Sequence, residues 1–402
     1  MAKTFISEVL RGVAGFISQP VISKNPAKEE IESICKAAEN GEPESQLTLG
    51  NIYLQGRGVT QDDEKGFKWV SKAAEQGNVI AQDLIGLMYT EGLGVPQDHK
   101  EAAKWFRKAT EQGYARAQKN LGLMYAEGHG VPQDHKEAAK WYRKSAEQGF
   151  AEAQYNLGVM YKADYGLPED HEEEVKWFRR AAEQGHAEAQ HALGATYING
   201  RGVKQDSGEA AKWYRKAAEQ GVTRAQHNIG VLYQDGNGVV QDHKEAAKWF
   251  RKSAEQGYAG AQYNLGAMYI DGNGVAQDHK EAAKWFRKSA EQGVAEAQCI
   301  LGLMYAESNG VARDNKEALK WVRRASDQGI AVAQHELGLM YAKGSGVEQN
   351  YEEAYFWLNI AASQDSEFSE TRDKVMKELT SEQRTRAQKC ARNWEPKKDD
   401  AE

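Results

Sequence analysis

Residues 134–161 read DHKEAAKWYRKSAEQGFAEAQYNLGVMY, and most of the chain is near-copies of this stretch. Shifting it by 36 residues in either direction nearly reproduces it. Trp141 has counterparts at Trp69, Trp105, Trp177, Trp213, Trp249, Trp285, Trp321 and Trp357, with no insertion or deletion between neighbours. Gly50, Gly86, Gly122, Gly158, Gly194, Gly230, Gly266, Gly302 and Gly338 keep the same step. A fixed period of this size marks a solenoid, in which each unit buries its apolar face only against its neighbours.

Each unit reads as two helices, A and B. In the second unit, helix A is predicted over 79–91, with Ala81, Ile85, Met88 and Tyr89 on one face at i, i+4, i+7 and i+8. Gly86 lies within that face. Its return in every unit predicts that the facing helix comes too close for a side chain, since an interior glycine costs ~1 kcal/mol against alanine. Gly92 is placed to end helix A in a left-handed conformation, and Gly94 gives the loop a second freedom. Asp98 and Glu101 form a capping-box-like D-x-x-E, which returns at Asp134, Asp242, Asp278 and Asp314. Helix B is expected to bury Ala102, Trp105, Phe106 and Ala109 and to stop at Gly113. Two A-to-B joints replace the first loop glycine, by Asp164 and by Ser308, and these predict a small irregularity in superhelix curvature, not a domain boundary.

Length alone would allow two or three globular domains, but stacking lets one elongated domain grow indefinitely, so the repeats are read as one. The net charge of −7 comes from 59 acidic and 52 basic residues mixed in every unit. No basic stripe is left for nucleic-acid phosphates. No apolar run approaches the ~20 residues of a membrane span. Cys35, Cys299 and Cys390 fall at unrelated repeat positions, and this predicts free thiols and a cytoplasmic setting. Glu8 and Arg11 interrupt what would be the apolar core of a signal peptide, although an exported or envelope location is the alternative.

Four segments follow. Residues 1–25 are an N-terminal amphipathic segment, in which Phe5, Ile6, Val9, Leu10, Val13, Phe16 and Ile17 recur at helical spacing. It is either an end cap or, through residues 3–17, a membrane-surface contact. Residues 26–42 are a degenerate half-repeat resembling helix B without its tryptophan. Residues 43–363 hold the nine full units. Residues 364–402 are a helical cap and charged tail, with LTSEQRTRAQKCARNW opening at Thr380 or Ser381 as N-cap. This cap is needed because Phe356, Leu358 and Ile360 make the last helix B apolar around more of its circumference.

The pattern A-x-A-Q-x-x-L-G-x-x-Y-x-x-G-x-G-V-x-x-D-x-x-x-A-x-x-W-x-x-x-A-A-x-x-G resembles the Sel-1-like repeat family, relatives of the tetratricopeptide repeats. The resemblance implies an all-α, right-handed α/α superhelical solenoid that acts as a scaffold for protein complexes. It carries over no catalytic residue, because the pattern consists of packing positions. Cysteine-rich members are associated with β-lactam binding or slow hydrolysis, but this chain lacks their cysteines.

The residues themselves offer little chemistry. His99, His135, His171, His243 and His279 share one repeat position, but copies ~10 Å apart cannot share an ion at Zn–N distances of ~2.0–2.1 Å. Ser33 and Lys36 form a lone S-x-x-K with no S-D-N or K-T-G to follow. No cofactor, metal or catalytic residue is predicted. The positions just after the repeated glutamine are different, because packing is expected to leave them on a concave surface. Tyr155, His191, His227 and Tyr263 would form a ribbon there, flanked by Asn120, Asn156, Asn228 and Asn264. Aromatic surfaces with amide donors and acceptors suit an extended peptide. The sequence therefore predicts a non-enzymatic adaptor for a protein or peptide, with oligomeric state open. The alternatives are a β-lactam-binding or weakly hydrolysing protein, and a membrane-tethered scaffold.

Overall fold

A computed structural model describes residues 28–163 and 165–397. The amphipathic stretch 3–17, the Asp164 joint and residues 398–402 lie outside the described residues. Among those described are 21 α-helices, one short 3₁₀ turn and no strand. The chain divides into two compact units, residues 1–205 and 206–402, and the division falls in the A-to-B loop of the fifth repeat.

The first unit contains α1 (Lys28–Glu39), α2 (Pro43–Gln55), α3 (Asp63–Glu75), α4 (Val79–Glu91), α5 (His99–Glu111), α6 (Ala115–Glu127), α7 (His135–Glu147), α8 (Ala151–Lys162), α9 (His171–Glu183) and α10 (Ala187–Asn199). The second contains α11 (Ser207–Glu219), α12 (Thr223–Asp235), α13 (His243–Glu255), α14 (Ala259–Asp271), α15 (His279–Glu291), α16 (Ala295–Glu307), α17 (Asn315–Asp327), α18 (Ala331–Lys343), α19 (Tyr351–Gln364), α20 (Ser369–Met376) and α21 (Ser381–Arg392). In the first unit every helix packs on the next, and in the second the same holds through α20, after which α21 packs back on α19.

The punctuation acts as read. Helix α4 spans the predicted 79–91, and Gly92 closes it at φ 70°, ψ 36°. A Cβ on Gly86 would lie 2.5 Å from the Phe106 ring, so the close neighbour is an aromatic side chain of helix B. Gly94 does more than free the loop. A Cβ there would collide with the backbone carbonyl of Asp63, at the start of the preceding helix B, and Gly130 meets His99 in the same way. The second loop glycine is therefore also a contact between repeats.

Two local readings need correction. Asp98 accepts from the Lys100 and Glu101 amides, but Glu101 does not return the bond; its carboxylate takes Lys104 Nζ at 2.5 Å. Trp105 is only half-buried, because it lies at the edge of the preceding repeat's core with Lys108 Nζ 3.8 Å from its ring centroid. At its cap Ser308, at φ 63°, ψ 33°, takes the left-handed geometry that the loop glycines adopt.

The repeated glutamine, whose role is not visible in the repeat pattern, ties three helices together. Gln82 donates to Ala74 O at 3.2 Å in the preceding helix B and accepts from Gln112 Nε2 at 2.8 Å in its own. Gln46 makes the same bond to Ala38 O at 3.1 Å, so α1 occupies the place of a helix B, as its half-repeat sequence implies. At the other end Thr380 caps α21 in a reciprocal capping box with Gln383. That helix covers α19: Gln388 Nε2 donates to Tyr355 Oη at 2.9 Å, Arg386 clasps Glu352, and Trp394 meets Trp357 edge-on at 5.9 Å. Leu358 and Ile360 are buried beneath.

Candidate peptide-binding surface on the A helices

The column of residues after the repeated glutamine is not left free by packing. Leu47, Asp83 and Cys299 are buried, and Lys119, Tyr155, His191, His227, Tyr263 and His335 are half-buried. Tyr155 and His227 lean on the helix B that follows and on the entry to the next helix A, and Tyr263 leans on the helix B that follows. In the first unit, Tyr155 stacks on His186 at 4.9 Å and lies 5.7 Å from Phe178. In the second, His227 meets Tyr258 at 5.0 Å and Phe250 at 5.7 Å, and Tyr263 meets Phe286 at 5.8 Å. The neighbouring amides join the same contacts. Asn120 is buried and donates to Asp83 at 3.0 Å, and Asn264 Nδ2 lies 3.1 Å from His227 Nε2. Asn156 and Asn228 are half-buried. Tyr155, His191, Asn120 and Asn156 belong to the first unit, and His227, Tyr263, Asn228 and Asn264 to the second.

Burial holds the histidines of these contacts below their ordinary range. His227 is lowered by desolvation despite its bond to Asn228, and His335 and His186 are lowered by desolvation as well. His186 has a specific reason to stay neutral, since the Ala189 amide donates to its Nδ1 at 3.2 Å and caps α10.

One cleft stands out in the first unit, with a volume of about 620 Å³. Its apolar lining is Leu87, Phe106, Leu123, Met124 and Phe150, contributed by α4, α5, α6 and the entry to α8. Leu123 is 39% exposed, one of few large apolar side chains so open to solvent. Arg116, Lys119 and Asn120 on α6 supply the polar side. Arg116 Nε donates to the fully buried Asp83 carboxylate at 2.5 Å. Burial drives the Lys119 ammonium below the usual lysine range, and nearby Glu152 and Asp83 only partly offset this. An apolar concavity with a few convergent polar groups is the usual form of a ligand site. Of the ribbon residues and flanking asparagines picked out from the sequence, only Asn120 lines it. The available signal was a break in a column: Asp83 and Lys119 stand where most later units have Tyr or His.

The Sel1 repeat profile matches nine successive stretches, 43–78, 79–114, 115–150, 151–186, 187–222, 223–258, 259–294, 295–330 and 331–366. This chain belongs to the Sel1 repeat family. Members of this family typically mediate protein–protein contacts and generally serve as non-catalytic scaffolds. The chain is similar to the crystal structure of c5321, a protective antigen of uropathogenic Escherichia coli strains displaying an SLR fold. They share 33% identity over 90% of this chain and 94% of the other, with a TM-score of 0.54. It is also similar to a Sel1 repeat protein from Oxalobacter formigenes, at 35% identity over 77% and 90% of the two chains and a TM-score of 0.58. Among curated proteins, no relative matches. In this Sel1 repeat chain no described helix is long and apolar enough to cross a membrane. Among the described residues no cluster of His, Cys, Asp and Glu forms a metal site.

Proposed function

We propose that this Sel1 repeat protein is a non-enzymatic adaptor that holds a protein or extended peptide against the A helices of its repeats. The observation that carries the reading is the apolar cleft in the first unit, where Leu123 is kept exposed beside polar groups that packing does not consume. An exposed leucine in a concavity gains by being covered, at ~25 cal/mol per Å² of apolar area removed from water. In this proposal the half-buried edges of Tyr155 and His191, with Asn156, add contacts in the first unit. His227, Tyr263, Asn228 and Asn264 offer a similar surface in the second. Asn120 serves less directly, because its amide already holds Asp83.

The test is a crosslinking pull-down from native lysate with wild type and Leu123→Asp, after both show the same helical melting. Partners captured by wild type and lost from the variant support the reading. Identical partners from both would move the binding surface away from the cleft.

A further inference from the structure

The first-unit cleft contains charge that the fold leaves unanswered. Arg116 Nη2 is buried without a hydrogen-bond partner, although Nε of the same guanidinium is held by Asp83. Lys119 makes no hydrogen bond or ion pair among the described residues. The two cations lie three residues apart on α6, so they share a face and repel each other. The third contributor is the start of α8. Gly149, Phe150, Ala151 and Glu152 line the cleft, and Phe150 supplies no side-chain acceptor to the first-turn amides. The positive end of a twelve-residue helix dipole thus opens on the same space. Opposing charge is spent or peripheral. Asp83 is engaged by Arg116 and Asn120, Glu127 has His129 Nδ1 at 3.0 Å, and Glu91 and Glu152 are exposed at the mouth.

We propose, resting on the adaptor reading, that this cleft captures the C-terminal residue of a partner protein. The free α-carboxylate would lie between Arg116 and Lys119, with an apolar side chain on Leu87, Phe106, Leu123 and Phe150. A carboxylate there accepts the unused guanidinium N–H and the ammonium protons and relieves the repulsion between them. Both donors are already desolvated, so much of the usual cost of burying an ion pair has been met during folding. Anion donors and apolar floor share one cleft, so the ligand must present both groups from nearly one point. A chain terminus does so from a single Cα, and the preceding residues leave by the open mouth.

The test uses the full chain and two pools of fluorescein-labelled hexapeptides ending in Leu, one with a free C-terminal carboxylate and one amidated. Fluorescence polarisation should show the free-acid pool binding about tenfold or more tightly, the usual effect of a charge-assisted bond. Lys119→Met should abolish that preference while melting at the same or a higher temperature, because it removes a cation that burial disfavours and no hydrogen bond compensates. Lys119→Arg should keep the preference. Leu123→Asp should weaken both pools. Equal binding of acid and amide, a preference that survives Lys119→Met, or no binding of either pool overturns the proposal. Equal binding that Leu123→Asp weakens would do so while leaving the adaptor reading in place, and the lysate pull-down tests that reading independently.

Discussion

Ser308 is the one non-glycine residue at positive φ among the described residues, and its hydroxyl reaches Val311 O at 3.4 Å. An L-residue in the left-handed region costs ~1–2 kcal/mol, and that single long hydrogen bond recovers little of it. Ser308→Gly should therefore raise stability by ~1 kcal/mol, measurable as a shift in urea midpoint. Glu174 is a second local fault. It stands where most other units have Ala, is fully buried, and has one carboxylate oxygen 2.9 Å from His171 Nδ1 while the other has no partner. Removing a buried carboxyl with an unsatisfied oxygen relieves a desolvation cost, and His171 is partly exposed and keeps Glu169 at 3.3 Å, so Glu174→Ala should gain ~1–3 kcal/mol and raise the melting temperature. A fall would mean that the His171 contact outweighs the cost of burial. Both sites are visible in the sequence as departures from the repeat. Their cost is not, because it depends on whether Ser308 keeps the glycine conformation and whether the Glu174 oxygens find donors.

Within an element, the two loop glycines of one joint do different physical work. Gly92 needs only its left-handed backbone, whereas Gly94 also leaves room for the Asp63 carbonyl. Gly92→Ala should cost ~1 kcal/mol. Gly94→Ala should cost ~2–4 kcal/mol, because strain and a backbone collision add. Equal losses in chemical denaturation would contradict the contact between repeats. Helix bounds were legible because short elements carry their own signals: Gly92 ends α4, Asp98 starts α5 and Thr380 starts α21. The Gly94 contact and the Gln82–Gln112 bond were not, since each joins residues about 30 apart that only the stacking brings together. The cleft was hidden for the same reason. Its floor comes from four helices, and nothing in the chain order shows that Leu87, Phe106, Leu123 and Phe150 meet.

For the whole molecule, solenoid stability is roughly a sum of units and their interfaces, so weak acid should act wherever a buried histidine joins two repeats. His186, His227 and His335 have folded pKa values below 6.5, so the unfolded chain binds more protons as pH falls past that value. Their stabilising contribution is full above pH 6.5 and is lost as pH drops through 6.5 toward the folded values. Urea midpoints should fall between pH 7.5 and pH 5, and His186→Asn, which keeps a capping acceptor without the titration, should reduce the fall. Binding through the A-helix contacts should follow the same direction. The helix-pair architecture was legible at this scale from the period alone. The division into units at 205 and 206 was not, since the period runs through it unchanged.

The central claim is that a partner seats on the A-helix cleft of the first unit. The most direct measurement places a photo-crosslinking amino acid at position 123, and in a second protein at the 88% exposed Val240, and irradiates each in native lysate. The account predicts a discrete crosslinked partner from position 123 and none from position 240. The same products from both, or a partner from position 240 alone, would contradict it.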